Sequence, residues 1–245
     1  MEESLKTLEN AAKLAGDKGL VRFTRFLDPA QAALGTQLAR DYRCCFSSWG
    51  GYPDAERSIG CFHPFDEMPL PDHFPLVCLH SRYSSKFCSI SHRDLLGAFM
   101  ALGLTRSCIG DIIIVESDIY LFADQKTAPY ISESMNEAGK VPLRFSVLSE
   151  IPAMPAPEGT TFTAIVSSLR LDAVLAAAYR LSRSEAADLI HSGLVKVDHI
   201  VCDHVDFNIR EGSLLSVRGK GRIRFTSLNG LTKKQRIGIT LFRYL

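Results

Sequence analysis

Within residues 168–222 the hydrophobic period changes from helical to alternating, and this change constrains the fold more than any other feature of the chain. Leu171, Val174, Leu175 and Ala178 share one helical face with Arg170 beside it, and Ser167 or Ser168 can cap the start. Ser182-Arg183-Ser184-Glu185 has the capping-box spacing, in which Ser182 bonds forward and Glu185 reaches back, so it predicts a second helix. Ala186, Ala187, Leu189 and Ile190 supply its packing face, and Gly193 suits a left-handed C-terminal cap. Residues 194–197 then alternate around Lys196, Asp198-His199 turns the chain, and residues 200–202 return. A later strand, Leu214–Val217, leads into Arg218-Gly219-Lys220-Gly221-Arg222.

The cations of this module sit where an anion would be held. Arg183 falls in the first turn of a helix, where free N–H groups and the positive dipole end favour a phosphate. Arg170 can add a bidentate guanidinium and Lys196 a flexible point charge, which suits a structured RNA recognised by shape and phosphate spacing. The plainer alternative is that Arg170 and Arg183 are surface residues paired with Asp172 or Asp188. Charge along the chain supports a polyanionic partner. Residues 1–157 carry 15 Lys and Arg against 19 Asp and Glu, whereas residues 158–245 carry 13 against 8. From Ser213 onward, Arg218, Lys220, Arg222, Arg224, Lys233, Lys234, Arg236 and Arg243 face no acid at all.

At 245 residues with 46% hydrophobic composition, the chain can bury more than one core. No apolar run is long enough to span a membrane, and the start lacks a secretory pattern, so a cytoplasmic protein without membrane insertion is expected. Seven cysteines with no CxxC pair fit reduced thiols, most of them buried. The predicted fold class is α+β. Residues 1–74 read as a helical N-terminal region, with Asp28 capping a helix that has Pro29 at its first position. Residues 75–150 read as β-α-β-β-α-β, a ferredoxin-like plan. In it, a helix over residues 91–104 starts at Ser91, a second helix covers 126–138 and closes at Gly139, and a last strand covers 141–148. Residues 151–159 are a proline-rich linker, and 160–245 hold the basic module and tail. The tail alternates in RIRF and GITLFRYL, predicting strands joined by a turn at Lys233-Lys234-Gln235-Arg236, where phosphate could reach.

Other constellations carry less. Cys61, His63, His73, Cys78 and His80 are soft ligands, but their spacing matches no familiar zinc site, so no metal and no cofactor is expected. Ser91-His92-Arg93-Asp94 lies along one helix start and cannot form a nucleophile, base and orienter. No glycine-rich cofactor loop is present, which weighs against an enzyme.

The strings RLDAVLA, LSRSEAADLIHSGLVKV and GSLLSVRGKGR closely resemble the S4 RNA-binding domain. Together with FTRFLDPAQ, GGYPDAER, SHRDLLGAFMALGLTRSCIGDI and GLTKKQR, they make most of the chain similar to YlmH-type S4 proteins. The resemblance implies a non-catalytic RNA-binding protein on the large ribosomal subunit, contacting ribosomal RNA and tRNA during rescue of stalled nascent chains. By the S4 motif, Arg170, Arg183, Ser184 and Lys196 occupy RNA-facing positions. With Arg218, Lys220, Arg222, Lys233, Lys234 and Arg236 they form the expected RNA-binding set. Two departures stand out: Asp198-His199 replaces the usual Asn-Gly, and Gly212-Ser213 the usual Gly-Asp. The competing expectations are an RNA-modifying enzyme that uses the module for docking, and a division or photosystem II factor, in the plastid stroma if a transit peptide has been removed.

Overall fold

The computed structural model describes residues 2–84, 89–232 and 235–245. The chain falls into two compact units, residues 1–155 and 156–245.

The first unit opens with α1 (Glu2–Lys18), β1 (Arg22–Leu27), α2 (Pro29–Asp41), β2 (Cys45–Trp49) and β3 (Ser58–His63). Asp28 caps α2, as its sequence predicts, and also forms a full capping box with Gln31. The expectation of a helical N-terminal region is corrected, because a three-stranded antiparallel sheet, ordered β1-β3-β2, lies among these helices. Its central strand β3 is buried at every position, so it lacks the apolar-polar alternation by which a strand is read. Leu8, Ala12 and Ala15 of α1 pack with Leu38 and Ala39 of α2 and with Phe62 of β3.

The same unit continues with β4 (Leu76–Arg82), α3 (His92–Ala101), β5 (Ile109–Val115), β6 (Asp118–Asp124) and α4 (Ala128–Ser134). A small hairpin, β7 (Glu137–Ala138) and β8 (Val141–Pro142), and then β9 (Ser146–Val147) complete it. The sheet order β5-β6-β4-β9, antiparallel throughout, is the arrangement that a βαββαβ plan gives. Ser91 and Asp94 form the capping box of α3. Two details differ from expectation. α4 ends at Ser134, and Gly139, at φ 63°, turns the β7-β8 hairpin rather than closing a helix. The predicted last strand is broken because Leu143 and Phe145 turn into the core.

Hydrogen bonds tie the N-terminal sheet to this second sheet. Asp111 of β5 accepts from the Tyr52 hydroxyl at 2.8 Å and from the backbone N–H of Glu56 and Arg57 at 2.7 and 3.0 Å. The Arg57 guanidinium donates to the carbonyls of Phe26, Arg106 and Ile109.

The second unit holds β10 (Gly159–Val166), α5 (Leu171–Tyr179), α6 (Arg183–His191), β11 (Val195–Val197), β12 (Ile200–Val201), β13 (Leu214–Val217), β14 (Gly221–Leu231) and β15 (Ile237–Tyr244). One six-stranded sheet, ordered β10-β15-β14-β13-β11-β12, carries α5 and α6 on one face. Leu171, Val174, Leu175, Ala186 and Ile190 from the helices meet Val195, Leu215, Ile223, Phe225, Ile239 and Leu241 from the sheet in one core.

Candidate nucleic-acid interface

Helix α5 starts differently from its sequence-based expectation. Arg170, not Ser167 or Ser168, stands at the N-cap position, and no side chain caps it. Instead the carbonyls of Phe207 and Val205 accept from the N–H groups of Leu171 and Asp172, at 2.8 and 3.2 Å, so these helix-end donors are already satisfied. α6 is capped as predicted: Ser182 Oγ accepts from Glu185 N at 3.1 Å, and the Glu185 carboxylate accepts from Ser182 N at 2.7 Å. That carboxylate already sits on the positive end of α6. The bare helix end expected to attract a phosphate is therefore already taken by this carboxylate.

The two arginines meet on Asp172. Arg170 Nε lies 3.3 Å from one carboxylate oxygen, and both Nε and a terminal nitrogen of Arg183 donate to the other. Asp172 also accepts from the Ala173 N–H at 2.9 Å. The side chain of Asp172 is 8% exposed, against 41% for Arg170 and 47% for Arg183. Burial pushes the Asp172 carboxyl up, but hydrogen bonds and charge from Arg170 and Arg183 outweigh it and hold the group below its ordinary value. The pairing with Asp172 that counted as the plainer alternative is thus real, but it leaves both guanidiniums half in solvent. One buried carboxylate orients two exposed cations, and the cluster keeps a net positive charge.

The remaining expected residues divide between two places. Arg236 lines one shallow groove with Arg183, over a floor of Ala173, Ala176, Ala177 and Ile165, which joins the tail to the helix side. Ser184 is exposed in the first turn of α6. Lys220 lies across a cleft from Glu185 and Asp188, and Arg218 is exposed on the same turn between β13 and β14. Lys196 and Arg222 lie elsewhere. Val195 and Val197 face the helices, so Lys196 between them points to the opposite face of the sheet. Its cross-strand neighbour is Ser216, whose own partner on β14 is Arg222. Lys233 and Lys234 lie outside the described residues.

Asp198 and His199, with φ of 47° and 69°, form the two-residue turn between β11 and β12 in the conformation that Asn-Gly usually supplies. The Asp198 carboxylate accepts from Leu214 N at 2.8 Å and braces the turn. Arg243, counted above among the tail cations, is structural: it donates to the Ala178 carbonyl at 2.6 Å and lies over the rings of Phe162 and Tyr179. Sequence reasoning missed the part played by Tyr244, which accepts from Arg224 Nε at 2.7 Å and stacks under Arg222. The RIRF alternation was the available signal, since it puts Arg222 and Arg224 on one face.

The soft-ligand residues of the first unit serve packing and hydrogen bonding. Cys61 and Cys78 are buried, which raises their thiols to about 11 and about 12. His63 bonds Ser47 and Pro64, and His80 bonds Asp118. Among the described residues, no group of His, Cys, Asp or Glu is placed to hold a metal ion, and no helix is long and apolar enough to cross a membrane.

Comparison with known proteins identifies the family. Residues 69–150 match the family described as the putative RNA-binding domain in YlmH, and residues 169–215 match the S4 domain. The chain is 36% identical, over 91% of its length and 87% of the relative's, to the ribosome-associated protein quality control protein P2 of Bacillus subtilis (strain 168). The solved structure of the cell division protein YlmH from Streptococcus pneumoniae resembles it with a TM-score of 0.52 at 24% identity, over 60% of this chain and 90% of that one, which speaks to the fold. With the S4 helices, the oriented arginine pair and the match along nearly the whole sequence in hand, this chain belongs to the YlmH-type family of S4-domain RNA-binding proteins.

Proposed function

We propose that this protein docks structured ribosomal RNA and tRNA on the large ribosomal subunit, in the cytoplasm, and takes part in the rescue of stalled nascent chains without catalysing a reaction of its own. The observation that carries the reading is the Asp172-centred pair: Arg170 and Arg183 are held in fixed orientation with their outer edges in solvent, and Arg236 shares a groove with Arg183. A pre-oriented guanidinium pair suits phosphates at a set spacing, because little side-chain freedom is left to lose on contact. Similarity to a ribosome-associated quality control protein across most of the chain supports the ribosomal setting.

Two measurements test it. Sedimentation with large subunits, coupled to crosslinking and sequencing of the bound RNA, should give a few structured sites for the wild type. The Arg170→Ala/Arg183→Ala variant should lose them. Binding of a structured RNA should weaken steeply with salt, and Arg183→Ala should make the logarithmic salt slope shallower by about 1. Reads spread evenly over all transcripts, or a variant indistinguishable from wild type, would sink the proposal.

A further inference from the structure

The sheet of the second unit has a face that the helix-side site does not use. Ile223, Phe225, Ile239 and Leu241 point into the core beneath α5 and α6, so Arg222 and Arg224 on β14, and Phe242 and Tyr244 on β15, point the other way. Register then sets a row across four strands, Lys196–Ser216–Arg222–Tyr244, beside a second row, Leu214–Arg224–Phe242–Thr161.

Charge and shape both speak for what this face takes. The six strands contain no Asp or Glu, and three of their cations, Lys196, Arg222 and Arg224, lie on this face, while the fourth, Arg243, lies on the helix-bearing face. Of the acids at the margins of the sheet, Asp198 is engaged with Leu214 N and Glu211 with Leu228 N, and Glu158 directly precedes β10. The guanidinium of exposed Arg222 lies 5.2 Å from the centre of the Tyr244 ring, Arg224 Nε is bonded to the Tyr244 hydroxyl, and Phe242 meets Tyr244 edge to face. Arg222 thus presents a planar guanidinium, backed by an aromatic ring and flanked by cations. Bulk acidic partners need the charge alone; unpaired bases need the flat stacking surface as well.

We infer that this open sheet face is a second RNA contact, which takes unpaired nucleotides by stacking on Arg222 and the Tyr244–Phe242 pair, with Lys196 and Arg224 on the backbone. It rests on the reading that the protein binds RNA, but not on the helix-side arginines. With one face of the module holding structured RNA through Arg170 and Arg183, and the opposite face holding an unpaired stretch, the domain would bridge two RNA segments.

The test uses the full chain with two RNAs, a hairpin bearing an unpaired pyrimidine loop and a blunt duplex of matched length, with affinities measured at one salt concentration. Wild type should prefer the loop RNA. Arg222→Lys, which keeps the charge but not the plane, and Tyr244→Leu should each lower that preference by about fivefold or more, with duplex affinity little changed. Thermal unfolding of both variants identifies any loss of fold, and Arg222→Lys decides the matter if Tyr244→Leu unfolds. Thiouridine in the loop should crosslink to β14 and β15. Arg183→Ala should weaken both RNAs alike and leave the preference intact. If Arg183→Ala changes nothing while Arg222→Lys removes the preference, the helix-side reading fails and the sheet-face reading stands. An unchanged preference in Arg222→Lys, crosslinks confined to α5 and α6, binding of neither RNA, or displacement of the loop RNA by polyglutamate as readily as by unlabelled loop RNA would each overturn the sheet-face contact.

Discussion

Asp172 shows how one side chain can decide what its neighbours do. It is a buried acid on the first turn of α5, and it fixes the direction of Arg170 and Arg183 while leaving them solvent-facing. Removing it strands two cations around an uncharged site, so Asp172→Asn should destabilise the second unit by about 1–3 kcal/mol at neutral pH in urea unfolding. The pH dependence follows from the lowered carboxyl. A group whose folded pKa is depressed contributes stability above its unfolded value, roughly 3.9 for Asp, and loses it as pH falls through the lower folded value. The gap between wild type and Asp172→Asn should therefore be full at pH 5 and above, and close in strong acid. A gap that widens on acidification would contradict this assignment. Arg243 makes the opposite point. It reads as one more tail cation, yet its bond to the Ala178 carbonyl and its place over Phe162 and Tyr179 make it a packing residue.

Among the elements, the ones with end signals were legible and the ones defined by partners were not. The capping boxes at Asp28, Ser91 and Ser182 all form, because a cap is a contact over three residues and needs no tertiary help. Strand β3 was missed because both its faces are buried, and Gly139 was misread because a glycine with positive φ ends a helix or turns a hairpin equally well. The β11-β12 turn departs from the usual Asn-Gly, and it forms with Asp198 and His199 both at positive φ. Asp198→Ala removes the acceptor for Leu214 N and puts a less tolerant residue at φ 47°, so it should cost about 1–3 kcal/mol of stability, readable as a lowered thermal midpoint. An unchanged midpoint would mean that the brace contributes nothing.

At the scale of the whole molecule, each unit carries its own core, and the eleven residues between β9 and β10, 148–158, include Pro152, Pro155 and Pro157 outside any regular element. Limited proteolysis should cut first within residues 151–158 and leave two fragments that each resist further digestion, as mass spectrometry would show. Early cleavage inside the six-stranded sheet would argue against independent cores. The helix-helix-strand module, the βαββαβ order, the basic carboxyl-terminal part and the family resemblance were all readable in the chain, because each rests on local period, local caps or linear motif. Only the tertiary structure decided that Arg170 and Arg183 converge on Asp172, that Arg236 comes to their side, and that Lys196 and Arg222 are on the far face of the sheet. Those facts depend on strand register and on which side of a sheet the helices cover, and both are set by contacts between residues far apart in sequence.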